Sequence, residues 1–106
     1  SMKSINDINE FYELTEQPKP ILLDFYADWC GPCQTLMPTI EKISHEFQDD
    51  IEVRKVNVDQ NSELTAKFGV KSIPSLFFLK GDKILDRTVG LATTNTLIDK
   101  VKNMIS

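Results

Sequence analysis

The fold of this chain turns on the stretch Ile21-Leu22-Leu23-Asp24-Phe25-Tyr26-Ala27-Asp28-Trp29-Cys30-Gly31-Pro32-Cys33. Its first half is a nearly unbroken apolar run over residues 21–27, which predicts a β-strand buried on both faces. Its second half places two cysteines where a long helix, predicted over residues 32–47, begins. A buried strand that leads directly into a helix is typical of an α/β domain.

Four helices are predicted from capping residues and apolar spacing. Asp7 followed by Glu10 has the pattern of a capping box, so a first helix begins there. The long helix follows the cysteines, and a short third helix opening at residue 61 or 62 is expected to end at Gly69. Thr93 or Thr94 caps the last helix. Its expected buried stripe consists of Leu97, Ile98, Val101, Met104 and Ile105.

Three further strands are predicted downstream. Residues 51–58 alternate apolar and polar side chains, and residues 75–79 form another apolar run. The turn at Gly81 and Asp82 leads into a strand over residues 84–89, which makes a hairpin. Strands separated by helices should be parallel, whereas the hairpin adds an antiparallel pair. We therefore expect an α/β fold: a central mixed sheet of four to five strands flanked by helices on both faces.

Length and composition exclude several classes of protein. A chain of 106 residues allows one domain, spanning residues 1–106. The net charge is −4 and the basic residues are scattered, which argues against nucleic-acid binding. The sequence has no apolar run long enough for a membrane span and no signal-peptide core. With Ser1 interpreted as a cloning remnant before Met2, we expect a cytoplasmic protein.

The chain has only two cysteines, Cys30 and Cys33. A structural disulfide across so short a loop would contribute only about 2 kcal/mol, and a chain of this size does not need one. A zinc site wants four ligands, and His45 is the only histidine. Attachment of haem needs a histidine where Gln34 stands. The spacing therefore favours redox chemistry.

The predicted helix start assigns different tasks to the two thiols. Unpaired N–H groups and the helix dipole favour an anion at that point, so Cys30 is expected to be the nucleophilic thiolate. Gly31 allows a tight turn, and Pro32 fits the first helical turn because its missing N–H is no loss there. Cys33 lies one turn further along, so we expect it to be more buried and to act as the resolving thiol.

Asp24 interrupts the apolar strand. It either faces solvent at a strand end or is buried, and its neighbours Leu23 and Phe25 favour burial. Because an ionised carboxylate is costly to bury, burial would raise the pKa of Asp24.

The sequence Trp29-Cys30-Gly31-Pro32-Cys33 resembles the active-site motif of the thioredoxin family. The resemblance covers essentially all of residues 2–106. It also includes Asp24-Phe25-Tyr26-Ala27-Asp28, Lys55, Ile73-Pro74-Ser75 and Val89-Gly90, which match in order and spacing. It implies the thioredoxin fold and reduction of disulfides in target proteins, with no metal and no cofactor other than the Cys30–Cys33 disulfide.

The resemblance also implies roles for individual residues. Asp24 would be the general acid/base for Cys33, and Lys55 would tune Asp24 electrostatically, unless Lys55 is simply an outward-facing strand residue. The Ile73–Pro74 bond would be cis, leaving the backbone of Ile73 free to pair with a substrate; the alternative is a trans proline at a strand start. The substrate-binding rim would consist of Trp29, Gly31, Pro32, Ile73, Pro74, Gly90, Leu91 and Ala92.

Three features depart from the family pattern. Tyr26 stands where these proteins often carry a second tryptophan, and Gln34 stands where many have lysine or arginine. Gly81-Asp82 shifts the hairpin glycine by one place. None of these changes the cysteine chemistry.

The implied partners are disulfide-containing target proteins and thioredoxin reductase, and the protein is expected to be a monomer. The chain has no glycine-rich dinucleotide loop, so NADPH would be used by the reductase.

An oxidase or isomerase is one alternative function, but the uncharged Gly31 and Pro32 between the cysteines favour a reducing pair. A purely structural binding module is the other alternative, and the two cysteines with Asp24 argue against it.

Overall fold

One mixed sheet of five strands organises residues 2–106, the part of the chain that the computed structural model describes. Ser1 lies outside the described residues, so its interpretation as a cloning remnant stays a prediction. The strands are β1 (Lys3–Ser4), β2 (Ile21–Tyr26), β3 (Glu52–Asn57), β4 (Ser75–Lys80) and β5 (Lys83–Val89). The helices are α1 (Ile8–Thr15), α2 (Gly31–Glu46), α3 (Ser62–Lys67) and α4 (Thr94–Ile105).

Strand β2 lies at the centre of the sheet, whose order is β1-β3-β2-β4-β5. It pairs in parallel with β3 and antiparallel with β4, and all six of its residues are buried. The hairpin partner β5 forms one edge, and the two-residue β1 forms the other. The predicted mixed sheet is confirmed, with the buried apolar strand as its middle member.

Each face of the sheet is covered by two helices, as the alternation of side chains along β2 requires. Leu22 faces the cluster formed by α2 and α4, whereas Leu23 and Phe25 face the cluster formed by α1 and α3. Because successive strand residues point to opposite faces, Asp24 and Tyr26 share the face of Leu22. The helix that carries the cysteines therefore packs on the same side of the sheet as Asp24.

The predicted helix starts are confirmed, two of them by side-chain capping hydrogen bonds. Asp7 and Glu10 form a reciprocal capping box at α1. The Thr93 side chain accepts a hydrogen bond from the backbone of Thr96 at the start of α4. These two caps stabilise backbone N–H groups that have no partner within the helix. Asn61 is the N-cap residue of α3, but its side chain makes no capping hydrogen bond.

The structure differs from the sequence-based prediction in several details. The sequence predicts no strand at β1, because two exposed residues have no detectable periodicity. Strand β2 ends at Tyr26, one residue before the predicted boundary, and β3 is one residue shorter than predicted at each end. Ile105 is 40% exposed and does not belong to the buried stripe, because it is the last residue of α4 and lies outside the sheet-facing cluster.

Replacing Phe77 by alanine should lower the free energy of unfolding by about 3–5 kcal/mol. Phe77 is fully buried, and its ring lies 4.8 Å from that of Phe68 and 5.4 Å from that of Phe25, measured between centroids. Urea unfolding followed by far-ultraviolet circular dichroism measures the change. Ile84→Ala, at an exposed position of β5, is the matched control and should cost less than about 1 kcal/mol. Equal losses in the two variants would contradict this placement of the core.

Candidate active site

The cysteine pair lies at the junction of β2 and α2. The backbone N–H of Cys30 donates to the carbonyl oxygen of Ala27 at 3.2 Å, which closes a tight turn after the strand. Cys30 is the N-cap residue of α2, and the backbone N–H of Cys33 donates to its Sγ at 3.2 Å. The local sequence explains this geometry, since Gly31 and Pro32 occupy the first helical turn as predicted.

Cys30 and Cys33 are joined as a disulfide, with 5.2 Å between their Cα atoms. Both side chains are buried, and Cys33 is the more deeply buried of the two. They pack with Tyr26 and Ala27, and Met37 covers the cluster in part. The expected difference in burial between the two thiols is confirmed.

The loop before β4 lies against the sulfur of Cys30. The carbonyl oxygen of Ile73 is 3.8 Å from Cys30 Sγ, and the Ile73–Pro74 peptide bond is cis. The carbonyl oxygen of Pro74 accepts a hydrogen bond from the backbone N–H of Gly90 at 2.8 Å. Gly90 has a φ of 83°, a conformation that other residues rarely adopt. The sequence-based expectation of a cis bond next to the cysteines is confirmed.

Asp24 is a buried carboxyl with no hydrogen-bond partner. Its side chain is 1% exposed, and neither carboxyl oxygen has a partner among residues 2–106. Burial raises the pKa of Asp24 from 3.8 to about 7, although the positive charge of Lys55 offsets part of this effect. Asp24 lies on the α2 side of the sheet and titrates near neutral pH, so it has the properties of a group that exchanges protons.

Lys55 is directly opposite Asp24 in the parallel pair of β2 and β3. It is half-buried, and its positive charge acts on Asp24. Its Nζ atom lies over the ring of Tyr26, 5.7 Å from the centroid. Lys55 therefore influences Asp24 through space, without an ion pair within 4.0 Å between the two described side chains.

The predicted rim surrounds the cysteines unevenly. Trp29 is 72% exposed, and Gly31, Pro32 and Leu91 are exposed as well. Ile73 is half-buried against the cysteine cluster. Pro74 is buried, and Ala92 packs against the core between α2 and α4, so these two contribute less surface than predicted.

Asp59 is a residue of the site that sequence reasoning missed. Its carboxylate oxygen accepts a hydrogen bond from Trp29 Nε1 at 2.8 Å, so the exposed indole is held by a residue from the loop after β3. The backbone N–H of Asp59 in turn donates to the side chain of Asn57 at 3.0 Å. Thirty positions separate Trp29 from Asp59. No local pattern could have paired the two.

Comparisons with known proteins agree with this architecture. The sequence profile of the thioredoxin family matches residues 2–103. The chain belongs to the thioredoxin family. The thioredoxin of Rickettsia typhi is 36% identical over 104 residues, which cover 98% of this chain and 99% of that protein. The thioredoxin of Rickettsia bellii is 40% identical over 93 residues, or 88% of this chain and 89% of that one.

Solved thioredoxin structures have the same fold. A thioredoxin of Malassezia sympodialis superposes with a TM-score of 0.91 at 31% identity, covering all of this chain and 92% of that chain. A thioredoxin of Fasciola hepatica superposes with a TM-score of 0.89 at 32% identity, covering 97% and 99%. The expected thioredoxin fold is therefore confirmed.

Family membership and the Cys30–Cys33 disulfide together show a thiol–disulfide oxidoreductase with a redox-active cysteine pair. Disulfide-containing proteins are the targets of such a thioredoxin. None of the four helices in residues 2–106 has the length and apolar character needed to cross a membrane.

The raised pKa of Asp24 predicts a stability that falls as the pH rises. The protonated carboxyl is favoured in the folded state, so its contribution is complete below pH 3.8 and is lost as the pH rises through about 7. Asp24→Asn, which is neutral at every pH, should raise the free energy of unfolding of the oxidised protein at pH 8 by on the order of 3 kcal/mol. Near pH 4 the variant should differ little from the wild type.

Urea unfolding at a series of pH values measures this difference. Asp82→Asn, at an exposed position in the turn between β4 and β5, is the matched control and should keep the pH dependence of the wild type. If Asp24→Asn and Asp82→Asn followed the same curve, Asp24 would not be a buried carboxyl of raised pKa.

Proposed function

We propose that this thioredoxin reduces disulfides in target proteins, with Cys30 as the nucleophile, Cys33 as the resolving thiol and Asp24 as the general acid/base. The observation that carries the proposal is the position of Cys30 at the start of α2, next to the exposed Trp29. Cys30 keeps 5% of its surface exposed and Cys33 only 1%, so Cys30 is the sulfur that a partner's disulfide would meet first. We infer reduction rather than oxidation of the targets because Gly31 and Pro32, which lie between the cysteines, carry no charge that would stabilise the thiolate.

In the first exchange, the Cys30 thiolate attacks one sulfur of the substrate disulfide. A bond forms between Cys30 Sγ and that sulfur, the substrate S–S bond breaks, and the other substrate sulfur leaves as a thiolate. The N-terminus of α2 stabilises the attacking anion, and the backbone N–H of Cys33 is positioned to donate to it. The free backbone of Ile73 next to Cys30 would pair with an extended substrate segment during this step.

In the second exchange, Cys33 attacks Cys30 Sγ and releases the substrate as a thiolate. The thiol of Cys33 must lose its proton first, and this buried side chain has little access to water. Asp24 accepts the proton when it is ionised and returns one in the reverse direction. The substrate has then gained two electrons, and the enzyme holds the Cys30–Cys33 disulfide.

A separate enzyme must restore the dithiol. We propose thioredoxin reductase as that partner, with NADPH as the source of the two electrons, and a monomeric, cytoplasmic thioredoxin as its substrate. The cycle of the chain itself then uses no metal and no bound cofactor. The apolar rim around Trp29, with Gly31, Pro32 and Leu91 exposed, would contact both the reductase and the targets.

Oxidation of NADPH by thioredoxin reductase in the presence of a protein disulfide tests the proposal. Adding this chain should accelerate the reaction, and Cys30→Ser should abolish the acceleration because the nucleophile is lost. Cys33→Ser should accumulate a covalent mixed disulfide between Cys30 and the target, because no thiol remains to resolve it. Mass spectrometry under non-reducing conditions detects this adduct. A wild-type chain without effect, or an adduct formed equally by both variants, would contradict the assignment.

Asp24→Asn should slow the resolving step by about tenfold or more near neutral pH, because the variant cannot accept the proton of Cys33. A single-turnover measurement of release from a preformed mixed disulfide isolates this step from substrate binding. The loss should shrink at alkaline pH, where the thiol ionises without assistance. Asp82→Asn, exposed in the hairpin turn, provides the control with an unchanged rate. A wild-type resolving rate in Asp24→Asn across neutral pH would exclude the acid/base role.

A further inference from the structure

The ammonium group of Lys55 lies over an aromatic ring while a buried carboxyl next to it has no partner. Lys55 Nζ is 5.7 Å from the centroid of the Tyr26 ring. Both oxygens of Asp24 lack a hydrogen bond within residues 2–106, and no ion pair within 4.0 Å joins the two described side chains. Opposite charges in a poorly solvated region attract strongly, so this separation needs a physical reason.

An ion pair is within the reach of these two side chains. Asp24 and Lys55 are directly paired residues of β2 and β3, so their side chains project from the same face of the sheet. Tyr26 lies two positions beyond Asp24 on the same face and is a diagonal neighbour of Lys55. The carboxylate of Asp24 and the ring of Tyr26 therefore compete for the ammonium group of Lys55.

We propose that Tyr26 is a positioning residue for proton transfer at Cys33: its ring holds the ammonium of Lys55 and prevents a closed ion pair with Asp24. The inference deepens the proposed function, since it matters for catalysis only if Asp24 is the acid/base. A cation over an aromatic face is stabilised by the ring quadrupole, and the effect grows as water is excluded. Tyr26 is buried and Lys55 is partly buried, so water is partly excluded from this contact.

This arrangement explains why the positive charge of Lys55 only partly offsets the rise in the pKa of Asp24 that burial causes. A closed ion pair would favour the ionised carboxylate and would leave a weak base for the thiol of Cys33. With the ammonium held over the ring, burial remains the larger effect at Asp24. The carboxyl can then exchange a proton near neutral pH.

Few other groups act on Asp24. Lys55 is the charged side chain that faces it from β3, and Leu76, its paired residue on β4, is apolar. On α2, Cys33 packs in the same cluster as Tyr26 and does not titrate in the disulfide. Asp28 is exposed and acts on Tyr26. Titration of the oxidised protein therefore isolates the carboxyl from the thiols.

The test is a carbon-13 NMR titration of the Asp24 carboxyl in the oxidised protein, comparing wild type, Tyr26→Phe and Tyr26→Leu. Tyr26→Phe keeps the ring and should keep the wild-type pKa. Tyr26→Leu releases the ammonium towards Asp24, so the acid dissociation constant should increase by about threefold or more. Tyr26→Met serves as a second ring-free variant if Tyr26→Leu does not fold. The pH profile of the resolving step should move to lower pH in the same variants.

The same substitutions in a Lys55→Met background separate the ring's hold on the lysine from its effect on burial. If the proposal is correct, Tyr26→Leu changes the dissociation constant of Asp24 much less when Lys55 is absent. An equal change in both backgrounds would overturn it, because the ring would then act only by excluding water. An unchanged or decreased dissociation constant in Tyr26→Leu would overturn it too. These titrations do not require Asp24 to be catalytic, whereas a wild-type resolving rate in Asp24→Asn would defeat the proposed acid/base role alone.

Discussion

Burial of the Asp24 carboxyl in the central strand is the constraint on which the rest of the site depends. The strand β2 is covered on both faces, so any side chain in it is removed from water. For an ionisable group without a hydrogen-bond partner, this raises the free energy of the charged form. The apolar clusters on either side of the sheet must offset that cost, and the same burial raises the pKa of Asp24 to about 7.

The site has a buried inner part and an exposed outer part, and different polar interactions act in each. Inside, Asp24 and Lys55 interact across neighbouring strands where the two charges are poorly screened. Outside, Cys30 is the N-cap residue of α2, and Asp59 accepts a hydrogen bond from the indole of Trp29 at the surface. In the proposed mechanism, an approaching disulfide meets the exposed part, while protons move in the buried part. The disulfide between Cys30 and Cys33 connects the two.

Much of the fold could be predicted because its signals are local. The capping box at Asp7, the unbroken apolar run of β2 and the helix start at Cys30 each depend on a few adjacent residues. The features that the sequence did not predict have weak local signals or none. Strand β1 is too short to show a period, and the exposure of Ile105 depends on where α4 extends past the sheet. The Trp29–Asp59 hydrogen bond joins two loops that no pattern connects.

The sequence by itself determined that a cysteine pair follows a buried strand and opens a helix, which is the basis for proposing Cys30 as the attacking thiol. Those properties follow from residue order and backbone hydrogen bonding over a few positions. Only the tertiary structure decided that Asp24 has no hydrogen-bond partner within residues 2–106 and that the ammonium of Lys55 lies over Tyr26. Strand register sets which side chains meet across the sheet, and it is fixed by packing of the whole domain. The Cys30–Cys33 pair can be recognised in the sequence, whereas the proton acceptor proposed for it depends on the fold.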